Sequence, residues 1–252
     1  MEEIKRESMD YDVVVVGAGP SGLSTAIKLR QLSIENNLNI SICVVEKGSE
    51  VGAHILSGNV IDPKALNELI PDWKDKGAPL KTPVTSDSVR YLISKSFSIS
   101  VPLLFTPSFR NHGNYIISLG NFCRWLAKQA EELGVNIFPG FAASEILFDK
   151  EGDQVIGIRT GDQGIDKDGK QLENYQQGYD LLAKQTIFAE GCHGSLTKRL
   201  IKKYNLRENS DPQTYAIGLK ELWEIKPENH KIGEVIHSIG WPLDNQTYGG
   251  SF

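Results

Sequence analysis

The chain has 252 residues, of which 40% are hydrophobic, and its 27 Lys and Arg against 32 Asp and Glu give a formal net charge of -5. That is enough apolar content for one large or two modest cores, while the acidic balance without a basic cluster argues against a nucleic-acid partner. Cys43, Cys123 and Cys192 are widely separated with no CxxC spacing, so neither a disulfide framework nor a complete four-cysteine metal site is expected within the chain, and no metal ligands are assigned.

The first element is a β-branched run, Val13 to Val16, as expected of the central strand of a parallel sheet covered on both faces. It runs into Gly17-Ala18-Gly19-Pro20-Ser21-Gly22. In such a turn Gly17 allows the tight bend, Gly19 lets backbone approach a pyrophosphate, and Gly22 lets helix pack on strand. The N–H groups of the following helix then face the phosphates. Leu23, Ala26, Ile27 and Leu29 to Leu32 continue that helix, and Ile40 to Val45 form a second strand ending on Glu46. An acid about 20 residues beyond the glycines is where an adenosine ribose is met.

The segment 47–58 has small residues too often for helix or regular strand and reads as a loop allowing close backbone approach. Asp62-Pro63 predicts a helix start, with Leu66, Leu69 and Ile70 on one face and Pro71 as the stop. From Trp73 to Arg110, short β-type runs amid Pro, Ser and Thr read as strands of a second subdomain. Leu119, Phe122, Leu126, Ala130 and Leu133 predict a helix closed by Gly134, followed by a strand at Val135 to Phe138. Glu145 to Phe148 and Val155 to Arg159 read as a hairpin, and 161–177 as an exposed polar loop. Thr186 to Gly191 repeats the opening pattern of apolar strand, small residue and glycine, before a helix from about Ser195 to Tyr204. Thr214 to Trp223 and Glu234 to Ile239 alternate like strands.

Several strings resemble the electron-transfer flavoprotein–ubiquinone oxidoreductase family. They are Gly17-Ala-Gly-Pro-Ser-Gly22 with Glu46-Lys47, Gly52-Ala-His-Ile-Leu-Ser-Gly58, Pro71-Asp-Trp-Lys74, Gly77-Ala-Pro-Leu80, Thr82-Pro-Val84, Asn111-His-Gly-Asn-Tyr115, Phe188-Ala-Glu-Gly-Cys-His-Gly194, Pro212-Gln-Thr-Tyr215, Gly218-Leu-Lys-Glu-Leu-Trp223 and Gly240-Trp-Pro-Leu-Asp244. The resemblance runs from about Asp10 to the last residue. It implies an α/β protein: a glutathione-reductase-like FAD-binding Rossmann domain, residues 1–70 and 111–206, with an inserted, mainly β quinone subdomain, residues 71–110 and 207–252. It further implies FAD, a [4Fe–4S] cluster, electron-transfer flavoprotein as donor, ubiquinone as acceptor, and peripheral contact with the mitochondrial inner membrane or a bacterial inner membrane. Family members are more than twice this length and hold the cluster cysteines near their C-terminus, so these residues read as an N-terminal part, incomplete for quinone reduction, with the cluster expected only in the full-length protein.

On that resemblance Gly17, Ala18, Gly19, Pro20, Ser21 and Gly22 meet the pyrophosphate and Glu46 the ribose, with Lys47 near the adenine end. Gly52, Ser57 and Gly58 line the cofactor along the loop. Glu190 and Gly191 make a second dinucleotide contact, and Ala143, with Ala142, a backbone contact to adenine. Gly249 and Gly250 line the quinone pocket, where paired glycines expose backbone N–H and C=O groups. No catalytic residue is expected, His54 included. Membrane contact is expected on the apolar face of Ile55, Leu56, Ile61, Leu66, Leu69, Ile70 and Trp73, or on Val101-Pro-Leu-Leu-Phe105. The alternatives are an NAD(P)H-dependent flavin hydroxylase or reductase of the same superfamily and a flavin-free binding module. The first is weakened because Glu190-Gly191 lies one residue too far from Ser195 for the Asp-Gly-x-x-Ser-x-x-Arg pattern, and Lys198 stands at the arginine spacing.

Overall fold

The computed structural model describes residues 6–56, 58–215, 217–244 and 249–251. The chain divides into two compact units, Met1–Ile55 with Gly120–Ile217, and Leu56–Leu119 with Gly218–Phe252.

The first unit opens with β1 (Ser8–Val16), α1 (Pro20–Glu35) and β2 (Ile42–Glu46). β1 and β2 are parallel, with Val13 opposite Ile42 and Val16 opposite Val45. Val14, Val15, Cys43 and Val44 are fully buried, so the β-branched run is covered on both faces.

The chain then builds much of the second unit: β3 (Asn59–Ile61), α2 (Lys64–Leu69), β4 (Thr82–Pro83), β5 (Ser86–Ser94), β6 (Phe97–Val101), a single 3-10 turn at Pro107–Phe109, and β7 (Tyr115–Ile117). β3 and β4 flank β7 in a small antiparallel sheet. Asp62 Oδ1 accepts the Lys64 N–H at 2.9 Å and starts α2. Leu66, Ile70 and Trp73 are buried; the Trp73 indole donates to Asn67 Oδ1 at 2.7 Å and meets Tyr115 edge-on at 5.8 Å.

Back in the first unit, α3 (Leu119–Glu132) ends before Gly134, whose φ of 89° is a left-handed stop. β8 (Asn136–Pro139) adds parallel to β2. β9 (Ala143–Phe148) and β10 (Val155–Thr160) form a hairpin, β11 (Gln163–Ile165) and β12 (Gln171–Gln176) a second one, and β13 (Asp180–Phe188) inserts parallel to β1. The sheet order is β8-β2-β1-β13-β10-β9, four parallel strands with an antiparallel hairpin at one edge. α4 (Leu196–Lys203) follows. In the second unit, β14 (Glu234–Gly240) runs parallel to β5, and β15 (Gly250–Ser251) pairs antiparallel with β14 at the edge of a sheet ordered β15-β14-β5-β6.

Four expectations change. Residues 56–70 and 111–119 belong to the second unit and 207–217 to the first, because the β3–β7 ladder joins segments that no local pattern connects. The polar stretch 161–177 contains a hairpin, anchored at its base by Asp162, which accepts from Arg6, Gly178 N–H at 2.8 Å and the Tyr175 hydroxyl at 3.1 Å. Thr214 to Trp223 forms no strand in its described residues: Ile217, Leu219 and Leu222 are almost fully exposed. The apolar face of α2 is core rather than surface, since Leu66, Ile70 and Trp73 are buried. Leu104 and Phe105, between β6 and β7 of the second unit, are exposed at 74% and 75%.

Candidate nucleotide and quinone sites

The turn between β1 and α1 is held by backbone hydrogen bonds to two neighbouring segments. The Gly17 N–H donates to Val45 O at 2.8 Å, and the Ala189 N–H donates to Val16 O at 2.8 Å. Gly17 has φ 105°, and a Cβ there would lie 2.4 Å from Ala189 O; a Cβ on Gly22 would lie 2.0 Å from Gly17 O. Both glycines are therefore required by the protein's own packing. Gly19 differs, because a Cβ there would meet nothing within 4 Å. That open side of the turn is where an approaching phosphate has room. Gly19 is the N-cap of α1 with no side-chain cap, Pro20 has no N–H, and the first intrahelical donor is Leu23 to Gly19 O at 3.0 Å. The Ser21 and Gly22 N–H groups thus lack intrahelical acceptors and stand at the positive end of the helix dipole.

Glu46 reaches back to this turn. Its Oε2 accepts the Ala18 N–H at 3.0 Å and its Oε1 the Gly48 N–H at 2.7 Å. Ala18 is buried, and its N–H is the donor to Glu46. Each Glu46 oxygen retains acceptor capacity for a hydroxyl. Lys47 is exposed.

The second strand–turn does return to the first. Ala189 packs against Gly17 and Gly22, and Gly191, with φ 80°, has open space where a Cβ would stand. The Glu190 side chain does other work. Its carboxylate accepts the N–H groups of Ser195, Leu196 and Thr197 at 3.1, 3.1 and 2.8 Å and the Thr197 hydroxyl at 2.6 Å. Burial pushes its pKa up, yet these donors outweigh that and hold it below the usual carboxylate value. Glu190 is a cap for α4.

Gly52, with φ 86°, would place a Cβ 2.6 Å from Gly120 O. It is thus fixed by contact with the start of α3, and Gly120 is a structural partner that sequence reasoning missed. Gly58 has φ 82° and its carbonyl accepts from Lys220; Ser57 lies outside the described residues. His54 is exposed. Ala143 begins β9, and the Ala142 carbonyl is taken by the Gly161 N–H at 2.8 Å. On the same unit, Met9, Val45, Phe138, Phe141, Thr160, Tyr179 and Leu181 line an apolar hollow of about 130 Å³, a poor match to phosphate chemistry.

In the second unit, Gly249 has φ 100° and a Cβ there would lie 2.2 Å from Ser238 O, so this glycine is demanded by its approach to β14. At Gly250 the nearest atom to a Cβ is Ser238 Oγ at 4.0 Å, leaving one side of the edge strand open. Cys43 and Cys123 are buried and Cys192 is exposed, and among the described residues no three His, Cys, Asp or Glu come together as a metal site. No helix among them is long and apolar enough to cross a membrane.

The parallel sheet, glycine turn and acid-tipped second strand define a Rossmann-type nucleotide-binding protein, and the residues present fit the ADP half of a dinucleotide. Residues 15–75 match the family model of the NAD(P)-binding Rossmann-like domain, and residues 215–252 that described as "ETF-QO, ubiquinone-binding". Over nearly its whole length the chain is similar to electron-transfer flavoprotein–ubiquinone oxidoreductases. It is 58% identical to the Pseudomonas aeruginosa electron transfer flavoprotein-ubiquinone oxidoreductase over 99% of the chain and 45% of that protein. With the human mitochondrial protein the identity is 54%, over 99% of the chain and 40% of the relative. The chain therefore spans less than half the length of these curated relatives. Among solved structures, a geranylgeranyl bacteriochlorophyll reductase-like protein from Thermoplasma acidophilum matches 93% of the chain and 51% of its own at 18% identity and TM-score 0.55. A flavoprotein/dehydrogenase from Cytophaga hutchinsonii matches 91% and 50% at 17% identity and TM-score 0.52. These likenesses show the fold.

Proposed function

We propose that the protein accepts electrons from reduced electron-transfer flavoprotein and passes them through FAD and a [4Fe–4S] cluster to ubiquinone. The observation that carries this reading is the presence in one chain of a dinucleotide turn and a 38-residue segment, 215–252, that matches the ubiquinone-binding family model. Bound FAD supplies two-electron and one-electron redox chemistry. Ser21 and Gly22 donate their N–H groups to its pyrophosphate, Gly19 leaves the space for it, and Glu46 accepts from the ribose hydroxyls. Gly191 and Ala143 contribute backbone, while Lys47, Gly52, Ser57 and Gly58 bound the remainder of the cofactor's path. Gly249 and Gly250 present edge-strand backbone to the quinone.

Ligands for a cluster belong to the rest of a longer protein, because Cys43 and Cys123 are enclosed in the core. Peripheral contact with a mitochondrial or bacterial inner membrane is made by the exposed Leu104 and Phe105. The test is to express the complete gene product and measure quinol formation from a short-chain ubiquinone with reduced electron-transfer flavoprotein as donor. Turnover with that donor supports the reading; turnover only with NADPH replaces it with the hydroxylase or reductase alternative. A protein that cannot be loaded with FAD is a binding module instead.

A further inference from the structure

His237 occupies the middle of β14, between Val89 of β5 and Ser251 of β15, one residue from the Ser238–Gly250 pair. Its ring lies against Phe109 with centroids 4.6 Å apart and planes tilted by 36°, and its Nε2 is enclosed without a hydrogen-bond partner. An enclosed imidazole nitrogen that has lost water and gained nothing costs free energy, which the fold recovers when a ligand supplies the missing partner. Thr106 Oγ1, at the start of the 3-10 turn that carries Phe109, is enclosed and unpartnered as well.

We propose that His237 is a quinone-binding residue: its Nε2–H donates, in the plane of the imidazole, to a carbonyl oxygen of a quinone that enters at the ring edge as the Phe109 side chain turns outward. The inference rests on the quinone reading of the β14–β15 edge. Three features support it. His237 lies inside the segment matched by the ubiquinone-binding family model. The contact with Phe109 is an aromatic pair on the imidazole face, which leaves the ring edge that carries Nε2 for the hydrogen bond. Phe109 is 40% exposed and follows the exposed Leu104 and Phe105, so its ring can turn outward without opening the core, and the same apolar segment suits an isoprenoid tail. A quinone carbonyl is an acceptor only, which matches a nitrogen in its N–H tautomer.

The test uses the complete gene product with reduced electron-transfer flavoprotein and a short-chain ubiquinone, and reads the quinone KM, kcat, and separately the rate of flavin reduction without quinone. H237F should raise the quinone KM about tenfold or more with flavin reduction unaltered. H237N, which keeps an N–H donor, should recover most of the loss. A quinone KM for H237F within about twofold of the parent protein overturns the assignment. So does an equal loss of flavin reduction, which marks a structural role. If H237F does not fold, H237M against H237N reads the same contrast. Should the parent protein show no saturable dependence on quinone, the quinone reading itself fails; should it saturate and H237F saturate alike, the role of His237 alone falls.

Discussion

The Glu46 carboxylate accepts the backbone N–H of Ala18 at 3.0 Å and so ties the end of β2 to the turn after β1. With Gly48 on the other oxygen, the acid shapes the turn itself. Hydrogen bonds to a charged group contribute roughly 1.5–3 kcal/mol each. E46Q, which keeps one acceptor, should weaken FAD binding about tenfold, and E46A about a hundredfold or more. E46A should also lower the stability of the FAD-free protein. Flavin fluorescence titration and thermal melting separate the two effects.

The glycines of the turn should separate in the same two measurements. G17A places a Cβ 2.4 Å from Ala189 O at a φ of 105°, and should destabilise the fold by ~1–3 kcal/mol or more with or without cofactor. G19A meets no protein atom within 4 Å. It should melt like the parent protein while losing FAD affinity at least tenfold, because its methyl occupies the pyrophosphate's approach.

Thiol reactivity should follow burial. Burial pushes Cys43 up to about 12 and Cys123 up to about 11, so both stay protonated and enclosed near neutral pH. Cys192 is exposed. A thiol reagent at about pH 8 should label Cys192 alone in the native protein and all 3 cysteines after denaturation. Peptide mapping identifies the sites.

The base of the β11–β12 hairpin should be acid-sensitive. The hydrogen bond from Arg6, then the Gly178 N–H and the Tyr175 hydroxyl, hold the Asp162 carboxyl at about 2 against the opposing effect of burial. An unfolded aspartate titrates near ~3.9. The folded value is depressed, so the stabilisation is complete above about pH 4 and is lost as the pH falls through about 2. Hydrogen exchange at the Gly178 amide should accelerate across that window in the parent protein. In D162N it should already be fast at neutral pH.

Much of the first unit was legible because its signals are local. Four successive β-branched residues, three glycines and Glu46 fix a strand, turn, helix and strand within one stretch of chain, and each fell where its pattern placed it. What escaped was set by distant partners. The 2.6 Å approach of a Cβ on Gly52 to Gly120 O joins two segments that no local pattern connects. The four donors that hold the Glu190 carboxylate at the start of α4 come together only in the fold. The 161–177 stretch lacked an apolar face, and its hairpin depends on an aspartate anchored by Arg6. The alternation at Thr214 to Trp223 is a real strand pattern without a strand ladder among the described residues, and alternation alone forms none. In the quinone segment, the sequence singled out the paired glycines, whereas the enclosed Nε2 of His237 is visible only once β14 and the Phe109 turn are brought together.

The most direct test of the central claim is anaerobic mixing of the FAD-loaded complete gene product with reduced electron-transfer flavoprotein, then with a short-chain ubiquinone, while flavin absorbance and quinol are followed. The account predicts that the flavin is reduced by the flavoprotein and reoxidised by the quinone with stoichiometric quinol. A flavin that ignores the flavoprotein donor and is reduced by NADPH instead would contradict it.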